Sequence, residues 1–389
     1  MANGTMTNTL SITQTDDIAP LEKEWRELET LPQCSVHQSY RWCRAWSGRD
    51  RRPLIIVGRF ASGEFEERIA FVLPLSIRKA GPLRIAGYAG GTFNNLNFGL
   101  FHPDFIAHAT PDMMQDVVAQ IRKIVDGVDL LLLERHPETW RGLAHPFANL
   151  PRFENQNRSF QVSLNGDFEI VVRRGNAKRR RKKFRTSAKR LEVLGGYDYV
   201  QAATPEEARA LLDCFYEQKA ARFETKGIPD VFASRSVQEL FKDLAAGSFE
   251  EARKPLEMHA IRLRADGRPI AIAGLSVKDG HVICQFSSFE SGETENASPG
   301  DLLFYHMIEN ACESGNELFD FGVGDEQFKR NWCDGETQLY DCVVALTAKG
   351  RAGAVAVAGL THAKRIIKAN PRLFTLARKA RMALKRKAD

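Results

Sequence analysis

The sequence predicts an α/β fold of the α+β, mixed-sheet kind: two tandem units, each a mixed, mostly antiparallel sheet with helices packed on its faces. Three observations carry that expectation. At 389 residues the chain is too long for one ordinary core, since domains run to about 100–200 residues. Short β-rich runs separated by Asp-Gly or Ser-Gly turns read as antiparallel hairpins, whereas strand–helix–strand requires a parallel crossover, and the chain holds both patterns. Both recur in the same order in each half, the mark of an internal duplication.

In the first half, LEKEWRELETL and SYRWCRAWSG read as helices bearing Trp25, Trp42 and Trp46. LIIVGRF (54–60), RIAFVLPLSIR (68–78) and PLRIAGYAGG (82–91) follow as strands. A Pro-Asp start opens the amphipathic helix PDMMQDVVAQIRKIV (111–125), and the apolar run VDLLLLERH (128–136) is the strand after it. The polar stretch Pro151–Ser159 marks the boundary, so residues 1–150 form the first unit. In the second half, Thr204-Pro205-Glu206-Glu207 is a capping box with Pro at the first helical position, and a further helix stops at Gly247. Strands MHAIRLR (258–264), PIAIAGLSVK (269–278) and HVICQFSSFE (281–290) precede the helix GDLLFYHMIENACESG (300–315) and the strand ELFDFGVG (317–324). The second unit therefore spans 159–348, and 349–389 reads as a basic appendage outside either core.

Charge is distributed unevenly. The net charge is +6, but Arg173–Arg190 holds eleven Lys/Arg without an acid and Lys349–Asp389 twelve with one, +11 apiece, which leaves −16 on the remainder. An acidic body with two basic segments is not a uniformly basic nucleic-acid binder. Apolar residues at 43% and charged residues at 27% exclude a disordered or fibrous chain. No run reaches the roughly 18 uncharged apolar residues of a membrane span, and no basic-then-apolar leader opens the chain, so a cytoplasmic location is expected. The seven cysteines lack C-x-x-C and zinc-ligand spacing, which points to reduced, buried thiols and to no metal.

Three constellations are candidates for chemistry. At Ser298-Pro299-Gly300-Asp301 a helix begins after a polar loop. Free N–H groups and the helix dipole favour an anion there, Gly300 permits close approach, and an ordinary capped helix is the plain alternative. In Phe319-Asp320-Phe321 the alternation sets Asp320 apart from the aromatics, as a structural anchor or as a catalytic carboxylate. Phe328 and Trp332, four apart, should bury on one helical face and force Lys329 and Arg330 outward beside them. Glu257, beside His259 in a strand, is a candidate general base if it faces the cleft.

The basic helix, 173–194, is charged on every side with Phe184, Ala188 and Leu191 as its one apolar stripe. It is either a solvated helix or a docking surface, through Arg180, Lys182 and Lys183, for an anionic acceptor. Interleaved aromatics are missing, so no specific nucleic-acid partner is expected. The tail from 361 to 387 mixes Ile366, Ile367, Leu373, Phe374, Leu376 and Leu384 with ten basic residues. It reads either as a frayed solvated tail or as a peripheral contact with the anionic inner face of a membrane.

The run SPGDLLFYHMIENACESGNELFDFGVGDEQFKRNW resembles the C-terminal signature of the GNAT acetyltransferases of the cellulose-biosynthesis-type branch, which is related to the Fem-type aminoacyltransferases. It carries Ser298-Pro299-Gly300, Gly315, Phe319-Asp320-Phe321, Gly324-Asp325 and Phe328-Lys329-Arg330-Asn331-Trp332. The likeness extends back through the basic helix, over about 159–345, and the first half resembles a degenerate companion GNAT-like unit. It implies acyl transfer from acyl-CoA, acetyl-CoA above all, to an amine or hydroxyl of a small-molecule or glycan-precursor acceptor in envelope-polysaccharide or cell-wall synthesis. The CoA diphosphate maps to Ser298, Gly300 and Asp301, although the loop departs from the basic-x-x-Gly-x-Gly form of orthodox members. Lys329 matches a charge-stabilising lysine of the Fem-type relatives, with Asp320 and Glu257 as further catalytic candidates and Arg330 and Trp332 beside the acceptor. Phe328 stands where relatives often carry Tyr. A non-catalytic module of the same fold, binding a polyanion or an anionic membrane, is the alternative. Transfer from a charged tRNA is disfavoured, because no long helical arm interrupts the second half.

Overall fold

The computed structural model describes residues 9–47, 49, 51–251, 253–370 and 372–373. They form a mixed α/β fold in two compact units, one made of the residues up to Gln156 with Gln338–Asn370, the other built on Asn157–Thr337. In chain order the first half holds β1 (Leu10–Thr15), α1 (Glu22–Leu28), α2 (Tyr40–Trp46), β2 (Arg52–Phe60), β3 (Ile69–Ala80) and β4 (Leu83–Tyr88). The short β5 (Leu100–Phe101), α3 (Pro103–His108), α4 (Pro111–Ile124), β6 (Leu130–Pro137) and a hairpin of β7 (Thr139–Trp140) and β8 (Leu143–Ala144) follow. Then come β9 (Arg152–Ser163), α5 (Phe168–Arg173), α6 (Ala177–Val193), β10 (Tyr197–Gln201), α7 (Pro205–Lys226) and α8 (Arg235–Gly247). The chain continues with β11 (Lys254–Leu263), β12 (Pro269–Lys278), β13 (His281–Phe289), α9 (Pro299–Glu313), β14 (Leu318–Val323), α10 (Gln327–Arg330), β15 (Gly335–Ala345) and α11 (Ala348–Ala369).

The duplication predicted from the sequence is visible as two runs of strands of one order. In the first unit the strands run β1-β2-β3-β4-β6-β15, and in the second β10-β11-β12-β13-β14-β9. Each ladder with a given register is antiparallel except one per unit, β4–β6 and β13–β14, where a helix carries the crossover. Only β15 comes from beyond the other unit's stretch of sequence, pairing with β6, whereas β9 pairs with β14 through Ser159–Ser163 of its own unit. The boundary between residues 156 and 157 falls inside the polar stretch Pro151–Ser159, but residues 338–370 join the first unit rather than the second or a separate tail. The physical reason is burial. Leu339, Cys342 and Val344 of β15 are buried, and their strand registers against the apolar run Leu130–Leu133.

The small-residue run expected as an appendage is α11, capped by Thr347, whose side chain accepts from Gly350 N. A Cβ on Gly350 would lie 1.8 Å from the Asp129 carbonyl oxygen, so only glycine lets the helix approach this closely. Ala354 and Val357 then pack on Ile85, Leu130 and Leu132. Residues 374–389, most of the tail read as membrane-facing, lie outside the described residues. No helix among the described residues is long and apolar enough to cross a membrane.

The first unit buries two stacked histidines, His136 and His145, with ring centroids 4.3 Å apart. His136 Nε2 lies 3.1 Å from the Tyr88 hydroxyl, and His145 Nδ1 accepts from Phe147 N. Burial drives both pKa values down, that of His145 to about 3. In the second unit burial also lowers buried His259, to about 4. A group whose native pKa is depressed stays neutral when folded and takes a proton when unfolded. The unfolded state therefore binds more protons below about 6.5, and stability falls as pH drops through that value. Urea midpoints should decline from pH 7 to pH 4.5, with about 2–3 kcal/mol lost per buried histidine. His145→Phe should flatten the slope, and an unchanged slope in that variant would show that the pair does not govern acid stability.

Candidate active site

In the second unit β13 and β14 pair only through His281↔Leu318, Val282↔Phe319 and Ile283↔Asp320. Beyond this point the parallel ladder stops and the strands part. Both strands contribute a local cause. β13 bulges, its register with β12 slipping between Gly274↔Phe286 and Leu275↔Cys284. β14 turns at Gly322, whose φ of +74° suits glycine, and slips against β9 between Asp320 and Val323. On this side of β13 the parallel ladder ends at Ile283↔Asp320, the kind of parted edge beside which an extended polar ligand can lie.

Asp320 sits where the ladder ends and is fully buried. Oδ1 accepts from Ser159 Oγ at 2.7 Å and from Gly322 N at 2.7 Å. Oδ2 accepts from Gln161 Nε2 at 2.9 Å and lies 3.4 Å from His281 Nε2. Burial alone would raise its pKa, but the His281 ring and these donors outweigh that and hold it below the ordinary value. A carboxylate so fully occupied anchors strands. Of the two roles expected for Asp320, these contacts are those of an anchor.

Lys329 corrects an expectation. Trp332 is buried and Phe328 packs on Phe304 and Phe321, as the four-residue spacing requires. Yet Lys329 turns inward and is only 5% exposed. Its Nζ donates to the carbonyls of Val323 (3.0 Å) and Gly322 (3.4 Å) and pairs with Glu326 at 2.8 Å. The ammonium thus bonds to the stretch of β14 that slips against β9. Helical spacing alone could not reveal this, because α10 is a single turn.

A second lysine, unforeseen in the sequence, joins it. Lys219 on α7 lies between two aromatic rings of its own helix, Nζ being 5.8 Å from the Phe215 centroid and 5.4 Å from that of Phe223. Burial, and then the neighbouring Arg222 charge, lower its pKa to about 8. Cys284, the last residue before the bulge, feels both lysines: burial pushes its thiol up to about 12, and Lys329 and Lys219 pull against that rise.

The start of α9 differs from a simple phosphate cradle. Ser298 is in the left-handed region, φ +52° and ψ +56°, and its side chain makes no capping bond. Gly300 lies against Phe289, whose ring a Cβ would meet at 3.3 Å, and Arg222 stacks on that ring at 4.1 Å. Asp301 Oδ2 is paired with Lys183 at 2.6 Å.

That ion pair belongs to a cleft of about 200 Å³ between α6, α9 and the turn after α10. Five residues singled out in the sequence, Arg180, Lys183, Asp301, Arg330 and Trp332, meet in its wall. Arg180 is 9% exposed, not solvated, and heads the inward stripe Arg180–Phe184–Ser187–Leu191 of α6. Its guanidinium donates to the carbonyls of Val171, Val172, Asn331 and Trp332 and stacks on the Trp332 ring at 4.8 Å. Arg330 forms a bidentate pair with Asp325. Lys182 stands apart on the exposed outer face of α6. Glu257 also stands apart, on β11, two strands from the splay, where it accepts from Gln201 Nε2 at 3.0 Å. Burial raises its pKa. Among the described residues no group of three or more His, Cys, Asp or Glu is placed to hold a metal ion.

Residues 178–330 match the acetyltransferase (GNAT) domain family. This stretch holds the basic helix, the splay, the start of α9 and both lysines, so the match falls on the site rather than beside it. A search of curated proteins returned no match. Among solved structures, FemX is similar at 12% identity and a TM-score of 0.55, over 84% of this chain and 96% of that one. L-PGS from Bacillus licheniformis is similar at 12% identity and a TM-score of 0.52, over 89% and 97%. At this identity the likeness is one of fold: a GNAT-like mixed sheet with its helices.

Replacing Lys329 by Met keeps the aliphatic stem but removes its hydrogen bonds to the Gly322 and Val323 carbonyls and its pairing with Glu326, a loss of about 1–3 kcal/mol. Urea titration of Lys329→Met should show that drop, and stability equal to wild type would mean that the inward ammonium bonds nothing of consequence.

Proposed function

We propose that this chain is an acyltransferase that moves an acyl group, acetyl above all, from acyl-CoA to an amine or hydroxyl of an envelope-polysaccharide or cell-wall precursor, at the β13–β14 splay. The splay is the observation that carries the reading. A parallel ladder that ends part-way along β13, with buried Lys329 and half-buried Lys219 beside it and the start of a helix at its mouth, suits an extended thioester arm. The match of residues 178–330 to the GNAT domain family supports it.

The acceptor's lone pair attacks the thioester carbonyl, forming the new C–N or C–O bond and moving an electron pair onto the carbonyl oxygen. Collapse of that intermediate breaks the C–S bond and releases CoA. Lys329, whose N–H groups are engaged by Gly322, Val323 and Glu326, offers the developing oxyanion a fixed positive charge beside the splay rather than a hydrogen bond. The acceptor's proton passes to the neutral amine of Lys219, whose pKa of about 8 suits a base near neutral pH. Gly300 borders the mouth against Phe289, with Ser298 and Asp301 on either side.

Titration calorimetry with acetyl-CoA is the direct test. Micromolar binding is expected, and its loss in folded Gly300→Glu would follow from a charged side chain entering the mouth. No binding to wild type would leave a non-catalytic module of the same fold. The proton role of Lys219 carries a separate signature. Activity requires the deprotonated amine, so kcat/KM should rise with pH through about 8 and then level. Lys219→Gln should remove that limb and lower kcat/KM about 100-fold; a pH profile unchanged in the variant would dismiss Lys219 as the base.

A further inference from the structure

We propose that the cleft between α6 and α9 is the seat of a substrate's diphosphate group. This deepens the acyl-transfer reading, but it rests on a different part of the unit and can be tested without turnover.

The first argument is charge. Arg174, Arg179, Arg180, Lys183 and Arg330 line the cleft, with Asp301 as the one acid in its wall. Arg174 and Arg330 have carboxylate partners, Asp334 at 3.5 Å and Asp325 at 2.5 Å. Arg179 and Arg180 have none within ion-pair distance among the described residues. Arg180 is held in place by four carbonyls, so a cation is built rigidly into the wall before any ligand arrives. Burial lowers its pKa, which an incoming anion would offset. The α6 helix also begins here, with Asn176 accepting from Arg179 N as its cap, and adds the positive end of its dipole. Planar guanidiniums in a fixed array suit phosphoryl oxygens.

The second argument comes from the competing position. A diphosphate at the start of α9 would face the β13–α9 loop, which carries Glu290, Glu293 and Glu295. Ser298 there is left-handed and does not cap. Glu290 is paired with Arg268, but Glu293 and Glu295 disfavour an anion at that loop, whereas the cleft faces the basic side chains of α6. The cleft volume of about 200 Å³ admits two linked phosphoryl groups. Its floor is apolar, with Phe184 stacked on Tyr305 at 4.1 Å and Tyr305 edge-on to Trp332 at 5.9 Å, so the group attached to the diphosphate can lie on rings.

The turn 327–333 links the seat to the splay. It sends Lys329 toward Gly322 and Val323 on one side and contributes Arg330, Asn331 and Trp332 to the cleft on the other. A diphosphate ester bound here stands next to the transfer site. It belongs either to the CoA donor or to a nucleotide- or lipid-linked acceptor.

Calorimetry with inorganic pyrophosphate, CoA and uridine diphosphate tests the seat on the full chain. Arg179 is exposed, so Arg179→Glu should fold normally, and Arg185→Glu makes the same charge change on the outer face of the same helix. Pyrophosphate affinity should fall at least tenfold in Arg179→Glu, stay within twofold in Arg185→Glu, and rise severalfold in Asp301→Asn, which removes the opposing acid. If CoA follows pyrophosphate, the seat serves the donor; if uridine diphosphate follows it while CoA binding is unmoved, the seat serves the acceptor. Equal affinities in Arg179→Glu and Arg185→Glu, or no pyrophosphate binding to wild type, would overturn the proposal. Acyl-CoA binding and turnover that persist in Arg179→Glu would leave the transfer reading standing without this seat.

Discussion

The second unit depends on satisfying one buried charge. Asp320 lies at the last register of the β13–β14 ladder, and its carboxylate gathers Ser159 and Gln161 from β9, the Gly322 amide from its own strand and the His281 ring from β13. A buried carboxylate without such donors would cost several kcal/mol, roughly the price of desolvating an ion. Three strands are therefore held together at one point, and past it they are free to diverge. The bulge in β13 and the left-handed turn at Gly322 take up the divergence, and Lys329 covers the carbonyls it exposes. The opening is thus tied to a fixed point, and its width is set by bonded groups rather than by a loose loop.

Much of this fold is legible in the sequence because it is written locally. Asp-Gly turns between alternating runs specify hairpins, and a capping box or Pro start specifies each crossover helix, so the duplication is readable from the order of short patterns. What is not local is not readable. Nothing in the composition of β15 says that it completes the first sheet rather than the second, since both sheets offer an apolar parallel strand as its neighbour; the pairing with Leu130–Leu133 is a tertiary choice. β1 and β10 escape for a different reason. Each is a strand of only 5 or 6 residues at the end of its order, too short for its period to stand out from the sequence around it.

The candidate site divides in the same way. The residue types were legible at Arg180, Lys183, Asp301, Arg330 and Trp332, which come from three segments and meet in one cleft. Their orientations were not. A basic helix with three apolar positions looks solvated, and only the carbonyls of residues 171, 172, 331 and 332 draw Arg180 inside. Lys219 did leave a signal that a charge count overlooks. Phe215 and Phe223 stand four residues before and after it, on the same helical face, so the amine is bracketed by rings and loses water on both sides. Burial of that face, and then the Arg222 charge, lower the pKa of the amine despite the favourable ring contacts.

The two basic features also differ in kind. On the outer face of α6, Lys182, Arg185 and Lys189 are exposed and interact with water and counterions, whose screening reaches about 8 Å in physiological salt. In the cleft, Arg180 is fixed by carbonyls and shielded by Trp332, so its field acts over a short distance through a poorly screened medium. A mobile array attracts any polyanion weakly, whereas a fixed array selects an anion of matching shape. Both arrays lie on one helix, and what separates them is direction. The residues at 180, 184, 187 and 191 follow the helical period and turn toward α9; those at 182, 185 and 189 turn away. The same excess of charge thus supplies a mobile, exposed array on one side and a fixed one on the other. The fixed array is the one that abuts the turn carrying Lys329, which places it and the splay on opposite sides of a single short segment.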